Sequence, residues 1–294
     1  MRRTPALLGA LLVLLGAGAA RADGPARAGV SDPCASAHAG GGQNFGFAVD
    51  GSQRAVHLHV PVAGAPAGRP AALLIALHGF GGTGSGMEGY TGFSALANRQ
   101  GFIAAYPDSR GPQWAIHDGT ARGAEDIEFI KRLIDDTEER FCIDRSRVFV
   151  AGVSNGGGEA ARLACALSDR LRGVALVAGQ YRNQPQCRPE RAVSVFEIHA
   201  QTDEVARYRG GAGSVPYFLA MWRGLDHCTV PGTHQRLDAM TVAASWNCAG
   251  GSRVAQLRIR RGGHFWPGAT LHGTAVPAPG SAASRIWEFF SSLR

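Results

Sequence analysis

The segment Arg147-Val148-Phe149-Val150-Ala151-Gly152-Val153-Ser154-Asn155-Gly156-Gly157, continuing as Gly158-Glu159-Ala160-Ala161-Arg162-Leu163-Ala164-Cys165-Ala166-Leu167, decides how this chain is read. Residues 147–151 are short, apolar and β-branched, as a buried strand is, and the run from Glu159 reads as a helix. Between them Gly152-Val153-Ser154-Asn155-Gly156 satisfies G-x-S-x-G, the nucleophile elbow. A serine at the apex of such a strained turn exposes its hydroxyl, while the flanking glycines let the turn close and the helix pack tightly. The Asn155 N–H, at the helix start, then points where an oxyanion would form. The competing reading is a glycine-rich turn with an incidental serine; the strand before it and the helix after it favour the elbow.

Working outward, strands are predicted over 55–60, 72–77, 102–106, 147–151, 174–177, 193–199 and 254–260, and helices over 92–98, 125–140, 156–168, 215–225 and 282–293. This alternation predicts an α/β fold, a mostly parallel central sheet with helices on both faces. Residues 63–69 read as a turn and 271–280 as a proline-rich loop, neither long enough to link two domains. No internal repeat is present.

In such sheets chemistry gathers at the carboxyl ends of the strands. After 72–77 comes His78-Gly79-Phe80-Gly81-Gly82, a loop whose Phe80 N–H would complete an oxyanion hole with Asn155. After 193–199 comes Ala200-Gln201-Thr202-Asp203, and after 254–260 comes Gly262-Gly263-His264-Phe265-Trp266-Pro267-Gly268. The chain order Ser154, Asp203, His264 is that of an α/β-hydrolase triad. His272 is the alternative base, Glu204 stands beside Asp203, and Asp203 itself could be a turn former. His78 reads as a loop-shaping residue. His57 and His59 share a strand face, but with no third ligand evident they read as a solvated face rather than a metal site. Asp126 reads as a helix cap in an acidic first turn. Gly79-Phe80-Gly81-Gly82-Thr83-Gly84 also satisfies G-x-G-x-x-G, with Asp108 after the next strand, but a dinucleotide-binding reading leaves Ser154 and His264 without a role.

Arg2 and Arg3, an apolar stretch over 6–20 and Ala20-Arg21-Ala22 predict a signal peptide over 1–22, with one domain over 23–294 and export to the periplasm or outside the cell. The apolar stretch is too short for a membrane anchor. The formal charge of +7 falls by three, to about +4, without Arg2, Arg3 and Arg21, and Lys131 is the sole lysine, which argues against a nucleic-acid partner. Six cysteines in an exported chain suggest disulfides, with the connectivity open. Cys228 with Cys248 and Cys165 with Cys187 bracket short segments and leave Cys34 for Cys142; the alternative is that Cys165 is a buried thiol in an apolar helix.

The elbow, the His78-Gly79 loop, Tyr106-Pro107-Asp108, Glu125-Asp126-Ile127-Glu128-Phe129-Ile130, His199 to Asp203 with Val205 and Tyr208, and Gly263-His264-Phe265-Trp266-Pro267-Gly268 together resemble the polyhydroxybutyrate-depolymerase-like esterases. That group includes feruloyl esterases and is similar to carbohydrate esterase family one. The resemblance covers the chain from about Cys34 onward. It implies an α/β-hydrolase fold, a Ser154, Asp203, His264 triad, oxyanion donors at Phe80 and Asn155, and no cofactor or metal. The sequence departs from the family's pattern at Phe80 (cysteine in many members), at Ala200-Gln201 (Gly-Thr), at Arg207 (proline) and at Gly158-Glu159 (apolar). Tyr208 and Trp266 are the aromatic candidates for a substrate wall, core packing being the other reading of Trp266. The expectation is a monomeric, exported serine esterase acting on feruloyl esters. A polyhydroxybutyrate depolymerase, an acetylxylan esterase and an exported binding protein without turnover are the alternatives.

Overall fold

The computed structural model describes residues 32–49, 51–65, 67–117, 119–181, 187–271, 274–275 and 280–293. The predicted signal peptide and His272 lie outside these. In chain order the elements are β1 (Gly41–Val49), β2 (Ser52–Val60), β3 (Ala71–Leu77), α1 (Gly84–Thr91), α2 (Phe93–Gln100), β4 (Ile103–Pro107), α3 (Ala121–Arg140), β5 (Ile143–Val153), α4 (Asn155–Ala166), β6 (Gly173–Val177), β7 (Ser194–Ala200), α5 (Val215–Leu225), β8 (Thr233–Arg236), β9 (Thr241–Asn247), β10 (Arg253–Ile259), β11 (Thr270–Leu271), β12 (Thr274–Ala275) and α6 (Ala282–Ser291).

One ten-stranded sheet runs in the order β1-β2-β4-β3-β5-β6-β7-β10-β9-β8. From β4 to β10 every neighbouring pair is parallel, and antiparallel strands flank this centre on both sides. Every residue of β3, β4, β6 and β7 is buried, as strands covered on both faces must be. Alternate side chains serve two cores. Leu73, Ile75 and Leu77 face Phe129, Leu133 and Leu163 of α3 and α4. Leu74 and Ala76 face Phe93 of α2 and Trp287 and Phe290 of α6, where Phe149 stacks on Phe290 with ring centroids 4.4 Å apart.

Three disulfides join Cys34 to Cys142, Cys165 to Cys187 and Cys228 to Cys248, so Cys165 is no free thiol. By the chain-entropy argument the first, closing a loop of 108 residues, constrains the unfolded chain most. No described helix is long and apolar enough to cross a membrane.

Two expectations change. Helix α3 starts at Ala121, capped by the Thr120 side chain on the Gly123 N–H, so Asp126 is not a cap. It is fully buried: Oδ1 accepts from Arg54 at 2.9 Å and Oδ2 from the Ala115 N–H at 2.9 Å. Nor do His57 and His59 form a solvated face. Both imidazoles meet Glu88, His57 Nε2 at 2.7 Å and His59 Nδ1 at 3.6 Å, because α1 lies over this strand.

Candidate active site

Ser154 sits at φ 56°, ψ −117°, between the end of β5 and the start of α4. A left-handed serine is strained, and the surroundings enforce it. Its N–H donates to Val177 O at 2.9 Å, and its carbonyl accepts from the Gln180 and Gly158 N–H groups, both at 3.0 Å. The glycines are required by close approach. A Cβ on Gly152 would lie 2.2 Å from Gly156 O, and one on Gly156 would lie 2.4 Å from Leu77 O.

The loops after β5, β7 and β10 bring three distant side chains together. His264 Nε2 lies 2.7 Å from Ser154 Oγ, and His264 Nδ1 lies 2.8 Å from Asp203 Oδ2. Asp203 Oδ1 accepts from the Val205 and Ala206 N–H groups, each at 2.9 Å. These bonds aim the carboxylate and leave His264 Nδ1 as donor and Nε2 as acceptor toward the serine. Thr202 ties the two loops, its hydroxyl donating to Gly262 O at 2.8 Å and accepting from the Gly262 N–H at 3.0 Å.

Behind Asp203 lies a buried network that no local sequence signal revealed. His199 Nδ1 donates to Glu197 Oε1 at 2.8 Å, and Nε2 donates to Ala206 O at 2.7 Å with Asp203 Oδ2 at 3.3 Å. Glu197 also accepts from Tyr181 Oη at 3.1 Å and Gln256 Nε2 at 3.0 Å. With only acceptors at both nitrogens, His199 is an imidazolium. Burial works against its charge, but the hydrogen bonds to Asp203 and Glu197 prevail and raise it to about 10. Burial likewise opposes the Asp203 charge, and hydrogen bonds from His199, His264 and Ala206 N–H hold its carboxyl well below the usual carboxylate range.

The two candidate oxyanion donors are held by a single residue, through both its backbone and its indole. Trp114 N–H donates to Asn155 Oδ1 at 2.8 Å, Asn155 Nδ2 donates to Trp114 O at 3.1 Å, and the Trp114 indole donates to His78 O at 3.1 Å. Trp114 thus links the start of α4 to the loop carrying Phe80. His78 shapes that loop as expected, Nδ1 donating to Gly79 O at 2.7 Å and Nε2 accepting from the Ser109 N–H at 3.1 Å. Burial pushes its imidazole down, in keeping with a neutral ring. Glu159, the charged residue after the elbow, is buried with Arg162 at 2.9 Å, and Arg162 donates to Ala115 O at 2.8 Å.

A cleft of 610 Å³ opens above Ser154 and His264, walled by Phe80, Met87, Tyr90, Val153 and Val205. Helix α1, absent from the sequence expectation, supplies Met87 and Tyr90. Two expected substrate contacts are corrected. Trp266 is fully buried, edge-on to Phe93 with centroids 5.5 Å apart: its backbone N–H donates to Tyr90 Oη at 2.9 Å, and the ring turns into the core beneath the loop. Tyr208 is buried against His199, its hydroxyl accepting from Gln256 at 3.0 Å, and does not line the cleft. The dinucleotide lookalike also receives another explanation. Asp108 accepts the Gly84 N–H at 2.6 Å, and a Cβ on Gly84 would lie 2.1 Å from Tyr106 O, so this glycine lets α1 pack on β4.

The sheet, the strained serine and the hydrogen-bonded Ser154, His264 and Asp203 define the class, an α/β-hydrolase. No protein-family model matches the chain. A protein named as an esterase, NocK of Nocardia uniformis subsp. tsuyamanensis, is 30% identical over 255 residues, covering 76% of this chain and 73% of NocK. Feruloyl esterase B of Piromyces equi is 26% identical over 67% of this chain, which spans only 40% of that protein's length. In structure, an acetyl xylan esterase from Aspergillus awamori superposes with a TM-score of 0.65 at 17% identity, over 85% of this chain and 99% of that one. The chain belongs to the polyhydroxybutyrate-depolymerase-like and feruloyl esterase family, and is a carboxylic ester hydrolase of that family.

Proposed function

We propose that the protein is an exported serine esterase that hydrolyses hydroxycinnamoyl esters of plant polysaccharide through an acyl-enzyme, with Ser154 as nucleophile, His264 as base and Asp203 as its orienting carboxylate. The observation that carries the reading is the continuous Ser154, His264, Asp203 hydrogen-bond chain at the floor of an apolar cleft. His264 Nε2 takes the hydroxyl proton as Ser154 Oγ attacks the ester carbonyl. The Phe80 and Asn155 N–H groups receive the oxyanion; the first N–H groups of α4 have no intrahelical acceptor, so the Asn155 donor is free for that task. Collapse expels the alcohol, which takes the proton from His264. Water then attacks the acyl-enzyme by the same route and releases the acid and the serine.

The acyl assignment rests on the cleft. A 610 Å³ space walled by Phe80, Met87 and Tyr90 suits an aromatic acyl group far better than acetate. Phe80, 68% exposed, presents its ring at the rim. The similarity to feruloyl esterase B of Piromyces equi supports the same class. The three disulfides fit an oxidising compartment and support export, and we take the monomer as the active form.

The test compares kcat/KM of the mature protein on methyl ferulate, p-nitrophenyl acetate and a hydroxybutyrate oligomer. Methyl ferulate is expected to be the best substrate. Preference for the oligomer would replace the feruloyl reading with polyester hydrolysis, and absence of turnover on all three would leave the non-catalytic binding protein.

A further inference from the structure

Beside the cleft lies a second pocket of 360 Å³, lined among others by Gln180, Tyr181, Val205, Arg207, Arg209 and Ser214. It shares Gln180 and Val205 with the wall above Ser154, so the two spaces adjoin along these two residues. Their chemistry differs. The cleft is walled by Phe80, Met87 and Tyr90, whereas this pocket is lined mainly by glycine backbone, Gln180, Ser214 and two arginines, beside Tyr181 and Val205.

The pocket is built into the fold. A Cβ on Gly213 would lie 2.9 Å from Tyr181 O, so the turn seats directly on Tyr181. Val215 N–H donates to Tyr208 O at 3.1 Å and Ser214 N–H to Gly211 O at 3.0 Å, closing the far wall. Tyr181 is locked from behind by its bond to Glu197. Arg209 leans on the Tyr208 ring, with its guanidinium carbon 6.0 Å from the centroid.

Neither Arg207 nor Arg209 has a carboxylate partner among the described residues, and both are exposed residues of the pocket's lining. Glu204, the carboxylate nearest in sequence, does not line it. Glu197 and Asp203, behind the wall, are engaged by His199 and His264. Two arginines without a carboxylate partner therefore line a pocket that shares Gln180 and Val205 with the cleft over Ser154.

An ester presents two halves to Ser154. The aromatic acyl half fits the apolar cleft, which leaves the polar pocket to the departing alcohol. We propose that the pocket is an alcohol-side subsite for a carboxylate-bearing leaving group, bound by Arg207 and Arg209. This rests on the esterase reading of the neighbouring serine. Two sources share that chemistry: a uronic acid unit of an acidic polysaccharide, and the hydroxy-acid end of a polyester oligomer, whose scissile alcohol also carries a free carboxylate.

The experiment measures kcat/KM on two pairs of feruloyl esters, of glucuronic acid against glucose and of 3-hydroxybutyrate against its methyl ester. Exposed arginine–carboxylate contacts contribute a few-fold each, so the charged member of at least one pair is expected to be favoured about tenfold at low salt. That preference is expected to shrink in 0.5 M NaCl, where the Debye length is a few ångströms. It should vanish in Arg207→Gln with Arg209→Gln and persist in Arg207→Lys with Arg209→Lys. Preference in the sugar pair assigns the uronic acid source, and preference in the hydroxybutyrate pair the polyester source. No charge preference in either pair, or one that survives the double Gln variant, overturns the subsite. Turnover of the neutral members reports on the esterase reading separately. If no ester is turned over, calorimetric titration of wild type and the double Gln variant with glucuronate and 3-hydroxybutyrate still decides the subsite: binding confined to wild type supports it, and no binding refutes it.

Discussion

Replacing His199 with glutamine isolates the charge behind the site. The imidazolium is held by Glu197 Oε1 at 2.8 Å, Ala206 O at 2.7 Å and Asp203 Oδ2 at 3.3 Å, with its side chain only 1% exposed. Its pKa in the folded protein is about 10 against an ordinary 6.5. A histidine raised in this way stabilises the fold fully below pH 6.5, and the contribution is lost as pH rises through 10. At 1.36 kcal/mol per unit the whole contribution is about 5 kcal/mol, of which about 3 kcal/mol disappears between pH 6 and pH 9. The substituted glutamine would carry no proton to lose. Guanidinium unfolding of wild type and His199→Gln, followed by tryptophan fluorescence at pH 6, 7, 8 and 9, therefore has a defined outcome. The stability gap between the two proteins should narrow by about 3 kcal/mol across that range. A gap that stays constant with pH would show that His199 is neutral in the fold, and its charged pairing with Asp203 would fall with it.

Two further predictions concern buried positions, one at the end of α5 and one in the elbow. Burial pushes the Asp226 carboxyl up to about 7 against an ordinary 3.8, with the Val193 N–H and Ser252 opposing only weakly. For a carboxyl raised in the fold the penalty is absent below 3.8 and complete above 7, so Asp226→Asn should stabilise by roughly 4 kcal/mol at pH 8 and by almost nothing at pH 4; equal melting shifts at both pH values would contradict the buried charge. Gly156→Ala would place a methyl 2.4 Å from Leu77 O and 2.5 Å from His78 O, both backbone atoms with little room to yield. It should cost about 3 kcal/mol in denaturant unfolding and displace the serine, and a variant as stable and as active as wild type would refute the close-packing account of the elbow.

Where the sequence was legible, one physical signal had no competitor. The strands β3, β4 and β6 are continuous apolar runs because helices cover both faces, and their predicted ends fall within a residue of the observed ones. Helix α5 matches its sequence expectation at full extent, from Val215 to Leu225. The residues expected to assemble at the strand ends, Ser154, Asp203 and His264, do converge. Elements without such a signal are not legible. Helix α1 carries three glycines in eight residues and reads as loop, although Thr83 caps it and Gly84 packs against Tyr106 O. Strand β1 reads Gly41-Gly42-Gln43-Asn44 at its start, and β8 is exposed throughout, so edge position erased the alternation expected of a strand. The network of Tyr181, Glu197, His199, Tyr208 and Gln256 is spread across strands that meet only in the fold. Proximity in sequence misled in one place. Trp266 lies two residues from His264, yet the loop turns its ring away from the cleft and into the core.

The most direct test of the central claim is covalent labelling with a fluorophosphonate, located by mass spectrometry in wild type, Ser154→Ala and His264→Ala. The account predicts one adduct, on Ser154, absent from Ser154→Ala and formed far more slowly in His264→Ala, where the hydroxyl has lost its base. An adduct on another residue, or labelling of Ser154 at an unchanged rate without His264, would contradict it.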